Sequence, residues 1–189
     1  MQPDPPELDA TSIMTLEAFA DTIIPGEKRF PDDVAVAGAS AGGGAVAAGA
    51  LELLSHPAGG LAESLDGLSQ MLNLHAMLYA NERGLALDEA LPSFVALPFA
   101  ARTELVAQLT HPEHPEKPLW VGLALFSNMA FDSAAHLPTL EALAAKHPGL
   151  TAMGYAQPDP DGVWRFPDSS YGRPLARIHP NTTSTGSPA

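Results

Sequence analysis

Proline and glycine limit what this chain can fold into. It carries 19 prolines and 16 glycines in 189 residues, and proline ends or kinks a helix while glycine favours turns. The segments between these breaks show helical spacing, so the expected class is all-α. Leu16, Phe19, Ala20, Ile23 and Ile24 fall at i, i+3, i+4, i+7 and i+8, one apolar stripe. Thr15 stands where a cap belongs, Glu17 suits the first turn, and Pro25-Gly26 closes the helix. A charged loop over residues 27–33 leads into residues 34–50, almost wholly alanine, glycine and valine. Val46, Leu53 and Leu54 then predict a helix running to about His56.

The clearest helical pattern runs from Leu61 to Glu82. Leu61, Leu65, Leu68, Leu72, His75 and Tyr79 make one stripe, which Met71, Leu74 and Leu78 widen. Asn81 to Asp88 reads as a turn. Pro98 suits the first position of a helix ending near Leu109. Leu119 to Ala135 is apolar nearly all round and predicts a central buried helix. Thr139 to Lys146 predicts a short helix stopped at Pro148-Gly149. Beyond Tyr155, closely spaced prolines and glycines leave no room for a long element, yet Trp164, Phe166 and Tyr171 are interleaved among them. Three aromatics gain too much from burial for a free tail. With Arg165 and Arg173 they form the candidate partner-binding set. The expected organisation is a flexible segment over 1–10, a compact helical domain over 11–150 and an irregular Pro/Gly-rich arm over 151–189.

Charge narrows the function. Nine Lys and Arg face 22 Asp and Glu, a formal net charge of −13. Nucleic acid and anionic membrane surfaces are therefore poor partners. The chain has no cysteine, which removes disulfides, thiolate catalysis, iron–sulfur clusters and Cys-type zinc sites. Its acidic, proline-bearing start lacks the pattern of a secretory signal, and Leu119 to Phe126 is too short to span a bilayer. A cytoplasmic protein is the expectation.

Four groups of residues invite a chemical interpretation. Gly42-x-Gly44-x-x-Ala47 resembles a dinucleotide-binding turn, but that motif needs a βαβ setting and the downstream pattern is helical. A Gly/Ala turn into a packed helix is the simpler reading. Asn128, Asp132 and His136 fall at i, i+4 and i+8 on a greasy helix. They form either an acid/base or metal pair, or a hydrogen-bonded or solvent-facing seam in which Asp132 pairs with His136. One carboxylate and one imidazole are too few for a metal without further ligands, which favours the seam. His75 lies on the apolar stripe, either as a ligand or proton carrier, or as a core histidine satisfied by a carbonyl or by Tyr79. The loop His111-Pro112-Glu113-His114-Pro115-Glu116 reads as solvated, with weak metal affinity as the alternative. None of these supplies a nucleophile with its base, and no metal or cofactor site of the chain's own is expected.

One stretch is more specific. Leu16-Glu17-Ala18-Phe19-Ala20-Asp21-Thr22-Ile23-Ile24-Pro25-Gly26 resembles the opening motif of the gluconate 2-dehydrogenase subunit 3 family. Gly44-Ala45-Val46 followed by Ala48-Gly49-Ala50 is similar to that family's next pattern, with Gly43 where proline is usual, and Gly154-Tyr155 resembles its late glycine–tyrosine. The likeness is specific over residues 15–55 and is a shared helical pattern from 60 to 155. Trp164-Arg165-Phe166-Pro167 and Ser170-Tyr171-Gly172-Arg173 mark a divergent branch. The resemblance implies a small, non-catalytic helical accessory or maturation subunit that holds no cofactor. Its implied partner is a large flavin-dependent oxidoreductase of the glucose-methanol-choline type, with FAD in that partner. Many relatives carry a twin-arginine signal that this sequence lacks, which leaves a cytoplasmic accessory role. Two alternatives stand beside it: a stand-alone helical enzyme with His75, Asp132 and His136 around a small-molecule pocket, and a homodimeric scaffold.

Overall fold

A computed structural model describes residues 8–155 and 180–183. The chain divides into two units, Met1–Tyr155 and Ala156–Ala189. The candidate arm residues Trp164, Arg165, Phe166, Tyr171 and Arg173 lie outside the described residues. The first unit is all-α: α1 Ala10–Ile23, α2 Ala50–Leu54, α3 Leu65–Arg83, α4 Ser93–Ala96, α5 Phe99–Leu109, α6 Lys117–Ser133, α7 Thr139–Ala144 and α8 Pro148–Ala152. Among the described residues there is no strand, and no helix is long and apolar enough to cross a membrane.

Helix α1 is the hub, packed against α2, α3, α4, α5 and α6. Its cap is Asp9, whose carboxylate accepts from the Ser12 amide at 2.6 Å, and not Thr15. Thr15 is a turn and a half further in, buried, with its hydroxyl donating to the Thr11 carbonyl. The periodic stripe does mark the core: Leu16 and Phe19 are buried, and the Phe19 ring lies 6.4 Å from both Phe94 and Trp120.

Residues 34–50 depart from expectation. Helix α2 is confined to Ala50–Leu54, and the glycine stretch before it runs beside the end of α1 instead. Ala45 N–H donates to Ile24 C=O at 2.9 Å, and Glu27 N–H to Gly42 C=O at 2.8 Å. The approach is so close that a Cβ on Gly44 would collide with the Ile24–Gly26 backbone. Gly49, at φ +83°, sets the turn that starts α2.

Two buried charges hold this long connection. Asp21, 1% exposed, accepts from the Gly26 amide at 3.1 Å and the Ala37 amide at 2.8 Å. Burial raises its pKa, while both amides and the nearby Arg102 charge pull it back. Arg102, 5% exposed on α5, donates to the carbonyls of Val34, Ala35, Val95 and Leu97. Arg29 closes the outer edge, bridging Glu17 and the buried Asp33.

Helix α6 is buried along one line only, Trp120, Leu123, Ser127 and Ala130, whereas Leu119, Leu125 and Met129 are exposed. An all-round apolar composition does not say how many sides the neighbours cover, and here they cover one. Pro148 begins α8 and does not merely stop α7, because proline is well suited to a helix's first turn.

Candidate functional site

Helix α3 is apolar on two opposite sides. Leu65, Leu68, Leu72, Ala76 and Tyr79 face the core. Leu74 and Leu78, expected to widen that stripe, are 52% and 48% exposed. At about 100° per residue they fall roughly 180° and 220° round the helix from Leu65, so core packing does not reach them. Met77 is exposed beside them, and Met71 is half-buried at the edge. Polar bonds fix the helix around this outward row. Ser12 on α1 hydrogen-bonds Asp66 and Ser69, each at 2.7 Å. Asn73 donates to Thr15 at 3.0 Å and accepts from the Phe94 amide at 3.0 Å. Tyr79 donates to Glu104 at 2.7 Å, with the Arg83 guanidinium 4.0 Å over its ring.

His75 lies between the two faces, and its partner is neither a carbonyl nor Tyr79. Its Nε2 is 2.8 Å from Glu116 Oε2, the same oxygen that accepts from Trp120 Nε1 at 3.1 Å. The imidazole stands edge-on to the Trp120 ring at 5.7 Å and to His114 at 5.9 Å. The hydrogen bond with His75 holds the Glu116 carboxyl below the usual carboxylate range, with the indole acting in the same direction against burial. The loop expected to be solvated is therefore divided. His111 and Glu113 are exposed, while His114 and Glu116 turn inward and tie α3 to the start of α6.

Asn128 and Asp132 share a solvent-facing side of α6, but His136 does not join them. Asn128 donates back to Ala124 C=O at 2.9 Å, and Asp132 is exposed. Helix α6 ends at Ser133 and the chain turns through Ala134 at φ +48°, so His136 leaves the helix before it can pair at i+4. No ion pair joins Asp132 to His136 among the described residues. His136 instead stacks over Gly49, its ring 6.3 Å from that of His147. Its Nδ1 is buried without a hydrogen-bond partner among the described residues. Burial lowers its pKa; the His147 and His56 charges act in the same direction and Glu52 opposes them. His147 joins residues far apart in sequence: Nε2 meets the Ala48 carbonyl at 2.9 Å, and Nδ1 accepts from the Leu150 amide at 3.4 Å, capping α8. The Ala48 carbonyl can only accept, so Nε2 donates in the first bond.

His75 and Asp132 therefore share no pocket. Glu116, which touches His75, precedes Asp132 by sixteen residues, about 24 Å along α6 at 1.5 Å per residue. Gly42-x-Gly44-x-x-Ala47 lies beside the α1 end and not after a strand. No group of three or more His, Asp or Glu among the described residues is placed to hold a metal ion. Sequence reasoning quoted Asp21 only as part of the Leu16–Gly26 motif and missed Arg102, whose signal is a charge in line with Leu105, Val106 and Leu109 on α5. It also missed the outward row on α3, because it counted both sides of the helix as one stripe. The profile of a family of unknown function (DUF5987) matches residues 10–189. No curated protein and no solved structure matches the chain.

Proposed function

We propose that the chain, which belongs to the DUF5987 family, is a non-catalytic accessory or maturation subunit that docks on a large flavin-dependent oxidoreductase of the glucose-methanol-choline type in the cytoplasm. The observation that carries this reading is the outward row of Leu74, Met77 and Leu78 on a helix whose opposite face is already core. Contiguous exposed apolar side chains on a rigid element are a common mark of a protein–protein contact. The resemblance of Leu16 to Gly26 to the gluconate 2-dehydrogenase subunit 3 motif supports the choice of partner. The structure gives that motif a physical task, since Asp21 within it pins the Gly26 and Ala37 amides. In this reading FAD belongs to the partner.

The test is co-expression with the products of the neighbouring genes and with a flavin-dependent oxidoreductase of the glucose-methanol-choline type from the same genome, followed by affinity capture and measurement of flavin in any large subunit retained. The parent chain is expected to co-purify in fixed ratio and to raise the yield of flavin-loaded partner. A Leu74→Asp, Leu78→Asp double variant, melting close to the parent, is expected to lose both effects. Equal capture by the double variant would reject α3 as the docking face, and absence of any complex would reject the accessory role.

A further inference from the structure

A groove of about 530 Å³ opens on a different part of the first unit, between the glycine stretch and the α7–α8 corner. That volume suits a small organic ligand. Ile24, Phe131 and Pro148 give it an apolar lining, while Ser40, Thr151 and Lys146 supply side-chain polarity. Gly42 and Gly43 complete one wall, and neither amide has a hydrogen-bond partner among the described residues. A Cβ on Gly43 would press to within 2.6 Å of Pro148, so the glycine lets this wall close on α8.

Lys146 is the one charged residue of that lining, in a chain with 22 acidic and nine basic residues. Its backbone is as informative as its charge. It sits at φ +56°, in the left-handed region. The His147 amide donates to Ala142 C=O at 2.9 Å, and the Lys146 amide to Leu143 C=O at 3.1 Å. These are the paired bonds of a Schellman helix end, and Lys146 occupies the position where glycine is favoured. The fold therefore keeps a lysine against its backbone preference at the exposed rim of an open groove. Ala134 closes α6 in the same left-handed region with only a methyl group, so the strain alone assigns no role; at Lys146 it coincides with the one cation of the groove.

We propose that this groove binds a small amphipathic carboxylate, with its anionic end on the Lys146 ammonium and the Gly42–Gly43 amides and its apolar body against Phe131 and Pro148. A single cation and a mainly apolar lining fit a monoanion with a hydrocarbon body better than a phosphate dianion. This site is separate from the α3 face and does not depend on the accessory reading.

The test uses the full chain in calorimetric titrations with benzoate and octanoate. Benzyl alcohol and octanol serve as neutral bodies, and inorganic phosphate as an anion without one. At least one carboxylate is expected to bind about tenfold or more tightly than its alcohol and than phosphate, the difference a charge-assisted hydrogen bond makes. Lys146→Gly is expected to lose that advantage while raising the melting temperature of the unliganded chain by about 2–4 °C, because the left-handed position is relieved. Lys146→Asn, which also tolerates the left-handed region, is expected to bind as weakly as the glycine variant. The proposal is overturned if neither carboxylate binds, if the alcohols or phosphate bind equally well, or if the variants keep parental affinity. A lower melting temperature in Lys146→Gly overturns the argument from backbone preference.

Discussion

Arg102 shows what a single buried charge does in this fold. Its guanidinium gathers carbonyls from residues 34, 35, 95 and 97, so one side chain joins the connection after α1 to the α4–α5 corner. Arg102→Met would keep the packing of the stem but leave these acceptors unpaired and Asp21 without its nearby positive charge. The expected loss is about 3 kcal/mol or more by urea denaturation. Arg102→Lys is expected to recover only part of it, since an ammonium lacks the planar fork. His136 sets a pH dependence. Its folded pKa lies below the ordinary histidine value, so the unfolded chain takes up a proton before the folded chain does. Stability from this group is therefore present above about pH 6.5 and is lost as pH falls through the depressed folded pKa. Denaturant titrations of the parent between pH 7.5 and 5.5 are expected to show this loss, and His136→Gln is expected to flatten it. An unchanged pH slope in the variant would show that His136 does not report through its protonation.

At the scale of elements, α6 offers a direct check on the packing. Leu123 is buried against the main core, whereas Leu125, two residues on, is 54% exposed. Leu123→Ala is expected to cost about 2–5 kcal/mol through the cavity it leaves. Leu125→Ala is expected to stay within about 0.5 kcal/mol of the parent. Equal effects would mean that α6 is buried all round, as its composition alone suggests. Periodicity made α1 and α3 legible in the sequence because each repeats apolar residues over at least three turns, while Pro98 marked the start of α5 and an apolar run marked α6. It gave no warning of α4 or α8, four and five residues long, because helices that short depend on tertiary packing. The site was less legible for a related reason. On α3 the buried side is marked by Ser69, Ala76 and Ala80 as much as by leucines, since small residues let neighbouring helices approach, while large ones remain outside. The Asp132–His136 pair does not form because i+4 spacing has meaning only while the helix continues, and Ala134 ends it.

The whole molecule combines an apolar row on α3 with a formal net charge of −13, and these act in opposite directions on self-association. Two copies meeting through α3 would bury Leu74, Met77 and Leu78, a gain of about 25 cal/mol per Å² of apolar surface. They would also bring two strongly acidic chains together, a repulsion that reaches roughly 30 Å at 0.01 M salt and only about 3 Å at 1 M. A partner without that excess of negative charge meets the same apolar row with no such penalty, which favours a hetero-complex over a homodimeric scaffold at low salt. Sedimentation is therefore expected to show a monomer at low ionic strength and a growing dimer fraction as salt rises. Leu74→Asp with Leu78→Asp is expected to remain monomeric throughout, because it removes the apolar gain and adds charge at the contact. A dimer already complete at low salt, and untouched by the double variant, would place self-association on another surface and leave the α3 row free for a partner of its own.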